Sequence, residues 1–185
     1  MEKYRLEGKT FVIDDYDKMP AFSSFLPGLA GVKGIPMWTF YTNRGQGMNS
    51  FGIDNKGNAI MEFNSANTAF ENTTVKGFRT FLKIDGEYYE PFFKYEKEAK
   101  RQIRMNKNSF KIIETNEKYG IEVTVNYFIL PNESIGALIR QVSVKNISDK
   151  AKDVEIIDGL PKIITYGISN GEFKEMSNLF KSWAY

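Results

Sequence analysis

Apolar and polar residues alternate along most of this chain. In IEVTVNYFI, residues 121–129, the side chains of Ile121, Val123, Val125, Tyr127 and Ile129 share one face, and Glu122, Thr124 and Asn126 share the other. That period of two predicts a half-buried strand. SFKIIET and the turn NEKYG before it complete a hairpin, with Gly120 supplying the permissive backbone. IGALIRQVSVKNIS and VEIIDGL continue the same grammar, and Pro161 limits the last of these. In the first half FVIDDY, PMWTFYT, MNSFGI, NAIMEFN, FRTFLKI and EYYEPFF read as strands, with Asp85-Gly86 a two-residue hairpin signal. About ten short strands at regular spacing predict a mainly β protein, an antiparallel β-sandwich. AFSSFLPGLAGVKG reads as an irregular loop. KYEKEAKRQIRMNKN reads either as a helix or as a solvated edge strand carrying a basic stripe.

The period changes near the end. Ser169 and Glu172 have the spacing of a capping box, and Phe173, Met176, Phe180 and Trp183 then recur at helical intervals. This predicts a short amphipathic C-terminal helix. Its pattern runs to Trp183 with no C-cap signal before Tyr185, so the chain is expected to be a piece of something longer.

Composition narrows the chemistry. Among 185 residues there is no cysteine and no histidine. Disulfides, thiolate nucleophiles, imidazole bases and the commonest metal ligand are therefore excluded, leaving carboxylates, Lys, Tyr or Arg for any catalysis. A net charge of +2 gives no electrostatic case for nucleic acid or an anionic membrane. The start, MEKYRLEGKTFVIDDY, lacks the apolar stretch of a signal peptide, and no run approaches a membrane span. A cytoplasmic protein is expected, with the sequons at Asn72, Asn132 and Asn146 incidental. Aromatic residues make up 15% of the chain, a share that suits either strand packing or the C–H face of a sugar.

Candidate sites are few. Asp14, Asp15 and Asp17 lack the Gly and distal Glu of a calcium loop, so a solvated turn is expected and no metal site. Asp54 and Glu62 flank a hairpin, but their spacing defines no acid pair across a sugar ring. Arg44-Gly45-Gln46-Gly47 is not a phosphate-binding P-loop, since no Gly-Lys-Ser/Thr follows. Its glycines permit close backbone approach. Arg44 has the geometry to fork onto a carboxylate, phosphate or hydroxyl, or to pair within the fold.

The stretch from Phe11 to Phe63, with PMWTFYTNRGQG followed by SFGI at its centre, resembles the start of family 94 glycoside phosphorylases. Within that family it is most similar to 1,2-β-oligoglucan phosphorylases and to the phosphorylase-like region of cyclic β-1,2-glucan synthases. KGFRTFLKIDG, LIRQVSVKNIS and IIDGLPKIITYG agree with it.

The resemblance implies a galactose-mutarotase-like sandwich (a supersandwich) over residues 1–167 and the start of a helical linker over 168–185. An absent (α/α)6 barrel would hold the active site. It implies reversible, inverting phosphorolysis of β-1,2-linked glucooligosaccharides to α-glucose 1-phosphate by a longer homodimeric glycosyltransferase. Inorganic phosphate is co-substrate there and no further cofactor is needed. One carboxylic acid then suffices to protonate the leaving oxygen. In the family that aspartate belongs to the barrel, so no catalytic residue is expected here and this piece is expected to be inactive alone. Arg44, Gln46, Asn49 and Trp38 are the residues expected to contact carbohydrate or the interface. Two alternatives stand beside this reading. One is an autonomous carbohydrate-binding module. The other is a small epimerase-like sandwich enzyme, against which the missing histidine weighs.

Overall fold

The structure, a computed structural model, describes residues 3–94 and 96–183; the side chains of Phe180 and Trp183, expected on the helix face, lie outside the described part. Thirteen strands among these residues form three antiparallel sheets. Six strands make the largest, in the order β1 (Tyr4–Glu7), β2 (Thr10–Asp14), β9 (Ala99–Met105), β10 (Ser109–Asn116), β11 (Ile121–Ile129) and β12 (Leu138–Asn146). A second sheet runs β3 (Ser23–Ala30), β4 (Ile35–Thr42), β5 (Met48–Ile53) and β6 (Ala59–Met61). The third runs β13 (Val154–Gly159), β7 (Arg79–Ile84) and β8 (Glu87–Tyr89). Two helices, α1 (Ala66–Lys76) and α2 (Asn170–Trp183), complete the order.

The large sheet turns its apolar face onto both smaller ones. Ile103, Phe110, Ile112, Val123, Val125 and Tyr127 meet Leu26, Tyr41 and Met48 from the second sheet and Leu82, Ile84 and Tyr89 from the third. Each such side chain, fully buried, contributes about 1.5–3 kcal/mol relative to exposure. The molecule is thus a mainly β antiparallel sandwich with a short C-terminal helix, as the alternation predicts. Along β11 the expected phase holds: Ile121, Val123, Val125 and Tyr127 are buried, and Glu122, Thr124 and Asn126 are only half-buried. Among the described residues no helix is long and apolar enough to cross a membrane.

Several segments differ from the sequence expectation, among them β1, which no strand reading covered. AFSSFLPGLAGVKG contains β3, an edge strand paired only with β4, where Pro27 removes no ladder bond that the sheet requires. KYEKEAKRQIRMNKN supplies β9, which is not at an edge but between β2 and β10. The expected strand EYYEPFF stops at Tyr89, and Phe92 follows with a left-handed φ of 64°. α1 was absent from the strand reading because its Thr and Asn residues favour strands or turns. Ser65 as N-cap, Gly77 as C-cap and buried Ala69 and Thr73 four residues apart mark it.

Three buried tyrosines carry a pH dependence. Burial pushes the Tyr127 phenol up to about 12, with Arg140 opposing the shift in part. Burial and the Glu114 carboxylate raise Tyr89 well above the usual phenol range, and burial raises Tyr16 as well. The folded state thus keeps these protons at pH values where the unfolded chain, near pKa ~10, has lost them. The stability they contribute is complete below about pH 10 and is lost as pH rises from there through about 12 and beyond. Urea midpoints measured from about pH 8 upward should stay level and then fall steeply past about pH 10. Native-state phenolate absorbance from all ten tyrosines appearing together near pH 10 would contradict this burial.

Candidate functional site

The Asn43–Gly47 loop joins β4 to β5 and is tied down from both sides. The buried Asn43 amide donates to the carbonyls of Tyr16 (3.0 Å) and Pro20 (3.0 Å) and accepts from the Phe22 amide (2.9 Å). Tyr16 Oη donates to the Gly45 carbonyl at 2.7 Å. Gly45 and Gly47 take left-handed φ values of 48° and 78°, which the turn requires. At Gly47 a Cβ would lie 2.4 Å from Cε1 of Phe110, so the loop presses directly onto the core.

The four expected contact residues have different surroundings. Arg44 stacks over the Phe70 ring at 4.7 Å and donates from Nη1 to the Asp17 carbonyl at 3.0 Å. It lines a cleft shared with Lys18, Thr74 and Phe93. Gln46 lies inside, 3% exposed. Its Nε2 donates to Thr80 Oγ1 at 2.9 Å, and its Oε1 accepts from Arg140. Thr80 Oγ1 in turn donates to Asp158 at 2.6 Å, and Arg140 completes the cluster by an ion pair with Asp158 and a bond to Tyr127 Oη at 3.2 Å. The Arg140 guanidinium also covers the Phe78 ring at 4.9 Å. Trp38 is half-buried, with Nε1 donating to the Asn55 carbonyl at 3.3 Å and its ring edge-on to Phe63 at 5.5 Å. Phe63 leads on to Phe40 (5.8 Å) and Phe25 (4.9 Å between Phe25 and Phe40), giving a continuous row of rings. Asn49 is 6% exposed, and neither polar atom of its amide has a hydrogen-bond partner.

The carboxylates noted in the sequence do not converge. Asp14 accepts from Gln102 Nε2 at 2.6 Å and pairs with Arg5, Asp15 pairs with Lys18 at 3.2 Å, and Asp17 pairs with Arg101 at 2.9 Å. Burial alone would raise the Asp14 carboxyl, but the bonds from Gln102 and Arg5 outweigh it and hold it below its ordinary value. Glu62 pairs with Lys162 at 3.7 Å. Among the described residues no cluster of acidic side chains has the arrangement of a metal site.

A second polar cluster went unnoticed in the sequence. Glu114, whose side chain is fully buried, accepts from Arg101 Nε (2.6 Å), the Phe92 amide (2.8 Å) and Tyr89 Oη. Asn116 Nδ2 extends the chain to Tyr89 Oη and Glu96, each at 2.9 Å. The signal was one of phase. Along β10 Glu114 and Asn116 occupy the same inward positions as Phe110 and Ile112. A carboxylate on that face needs a buried cation, and Arg101 directly opposite on β9 supplies it. The geometry neutralises Glu114 rather than exposing it for proton transfer.

Comparison with models of known families and with curated protein sequences gives no match to this chain.

Proposed function

We propose that this chain is the non-catalytic N-terminal sandwich of a glycoside phosphorylase acting on β-1,2-linked glucooligosaccharides, serving dimerisation and the framing of an active site held by a following helical barrel. The observation that carries the reading is the Gln46–Thr80–Arg140–Asp158 cluster. Its members come one each from PMWTFYTNRGQG, KGFRTFLKIDG, LIRQVSVKNIS and IIDGLPKIITYG, the stretches in which the resemblance lies. A set of separated motifs that meets in one hydrogen-bonded knot supports a shared structural task. The knot ties β12 of the large sheet to β7 and β13 of the small one and fixes the loop between β4 and β5 upon them.

Within this reading the loop residues divide the work. Gln46 positions, because its amide is spent on Thr80 and Arg140. Arg44 contacts, because its guanidinium lines an open cleft and its planar fork suits carboxylate, phosphate or hydroxyl partners. The buried ionisable groups Glu114 and Arg101 are neutralised by each other, which fits a scaffold. In the parent enzyme phosphate attacks the anomeric carbon and one barrel carboxylic acid protonates the departing oxygen.

The reading frame beyond the codon for Tyr185 tests this proposal. Continuation into a helical barrel carrying an acidic residue is expected, and a stop codon there or an unrelated following domain contradicts it.

A further inference from the structure

Among the described residues β13 is paired on one side only, with β7, and every residue from Glu155 to Gly159 is exposed. Ile156 and Ile157 are 51% and 73% exposed. Successive side chains of a strand alternate, so an apolar residue lies open on each face. The free side also presents a definite set of main-chain groups. Asp85-Gly86 is a two-residue hairpin turn, so Ile84 and Glu87 beside it exchange hydrogen bonds and the ladder alternates from there. Lys83 and Phe81 therefore direct their main-chain groups at Glu155 and Ile157. The Asp85 amide, which donates to the Asp153 carbonyl at 2.9 Å, follows the same alternation. The N–H and C=O of Val154, Ile156 and Asp158 point the other way, along the open edge. Sheet edges are usually blunted by brevity, proline, lysine or a bulge. β3 carries Pro27, β6 and β8 have three residues each, β1 has four, and β12 carries Lys145. β13 runs for six residues with none of these devices. Its two carboxylates are engaged within the chain, Glu155 by Lys83 at 2.6 Å and Asp158 by Arg140.

We propose that β13 pairs antiparallel with β13 of a second copy of this chain, about a two-fold axis at Ile156. An edge that pairs with itself closes after two copies, as an isologous contact does. Charge selects the register. Centring the axis on Val154, Glu155 or Asp158 would set acidic residues opposite one another, and like charges directly opposite destabilise a ladder. Centring it on Ile157 would carry Val154 past the end of the second copy's strand. Centring it on Ile156 matches Val154 with Asp158, Glu155 with Ile157, and Ile156 with itself. All three outward residues then find partners inside the strand. One strand is a small contact beside the roughly 1,200–2,000 Å² of a stable interface, so the dimer is a weak one that forms as concentration rises. The contact lies on a different element from the Asn43–Gly47 loop, where the resemblance puts the expected interface residues. It also stands separately from the proposed function. A chain that stays monomeric leaves the phosphorolysis reading intact, and a stop codon after Tyr185 leaves the pairing intact.

Sedimentation velocity of the 185-residue chain across a wide concentration series, with amide hydrogen exchange on the same samples, tests the pairing. A reversible monomer–dimer equilibrium is expected. Exchange should slow with concentration at Val154, Ile156 and Asp158 and stay level at Glu155 and Ile157, whose amides already face β7. Ile156→Lys sets two ammonium groups against each other at the axis and should raise the dissociation constant at least about tenfold. Leu29→Lys, at an exposed apolar residue of β3, should leave it unchanged. Ile156→Pro removes a donor that β7 does not use, and it should give the same loss if the lysine variant fails to fold. A chain monomeric throughout the series, assembly beyond two copies, dimerisation without protection of the three amides, or equal losses in Ile156→Lys and Leu29→Lys would overturn the proposal.

Discussion

Replacing Arg101 by methionine should cost the fold roughly 3–5 kcal/mol, the usual penalty for stranding a buried charge. Glu114 has no exposed side-chain surface, and Arg101 is 6% exposed. The guanidinium bridges Glu114 at 2.6 Å and Asp17 at 2.9 Å, and it reaches the Lys94 carbonyl as well. Tyr89 and the Phe92 amide still hold Glu114 in the variant, but neither carries a compensating charge. In a chain of this length each kcal/mol moves Tm by about 2–4 °C, so a fall of about 6–20 °C is expected. The double variant Arg101→Met/Glu114→Leu should recover the share of that loss due to the stranded Glu114 charge, while Asp17 still lacks its cation and the Phe92 amide its acceptor. Thermal denaturation of the single and double variants checks both statements. A single variant within about 1 kcal/mol of the parent would mean that the pair is solvated, as exposed pairs are.

Gly47→Ala should be more damaging than the strain of a left-handed backbone alone explains. Two separate costs meet there. The residue sits at φ 78°, a region that costs a residue with a Cβ about 1–2 kcal/mol. The new methyl would also lie 2.4 and 2.6 Å from Phe110, a fully buried ring, and overpacking of that kind costs about 1–3 kcal/mol. Gly8 separates the two, since it shares the left-handed backbone at φ 62° but has nothing within 4 Å of a built Cβ. Gly8→Ala should therefore lose only the backbone share, and the difference between the variants in urea midpoint isolates the contact with Phe110. Equal losses in both variants would show that the loop does not press on the core.

Several elements were legible in the sequence because local pattern and tertiary demand coincide. β11 alternates cleanly, since one side faces the core. Asp85-Gly86 makes the hairpin expected of it, with φ values of 50° and 92°. Ser169 and Glu172 form the reciprocal cap that their spacing predicts. Elements were missed where the two diverge. β3 contains Pro27 and Gly28 and survives as a strand because only its β4 side is paired. β9 looks like a solvated basic stripe until Arg101 is seen to point inward at Glu114. The loop around Arg44 stood out from its glycines, but spacing could not tell that Gln46 would be buried while Arg44 faced a cleft. Nor could it show that Asn49 would bulge out of the β4–β5 ladder, since bulges depend on pairing register and not on residue type.

Glucose 1-phosphate release from sophorose and inorganic phosphate measures the central claim most directly, comparing this chain with the longer product that the proposal requires. The account predicts none from residues 1–185 alone and inverting phosphorolysis, yielding the α-anomer, from the longer product. Turnover by this chain unaided, or none by the longer product, would contradict it.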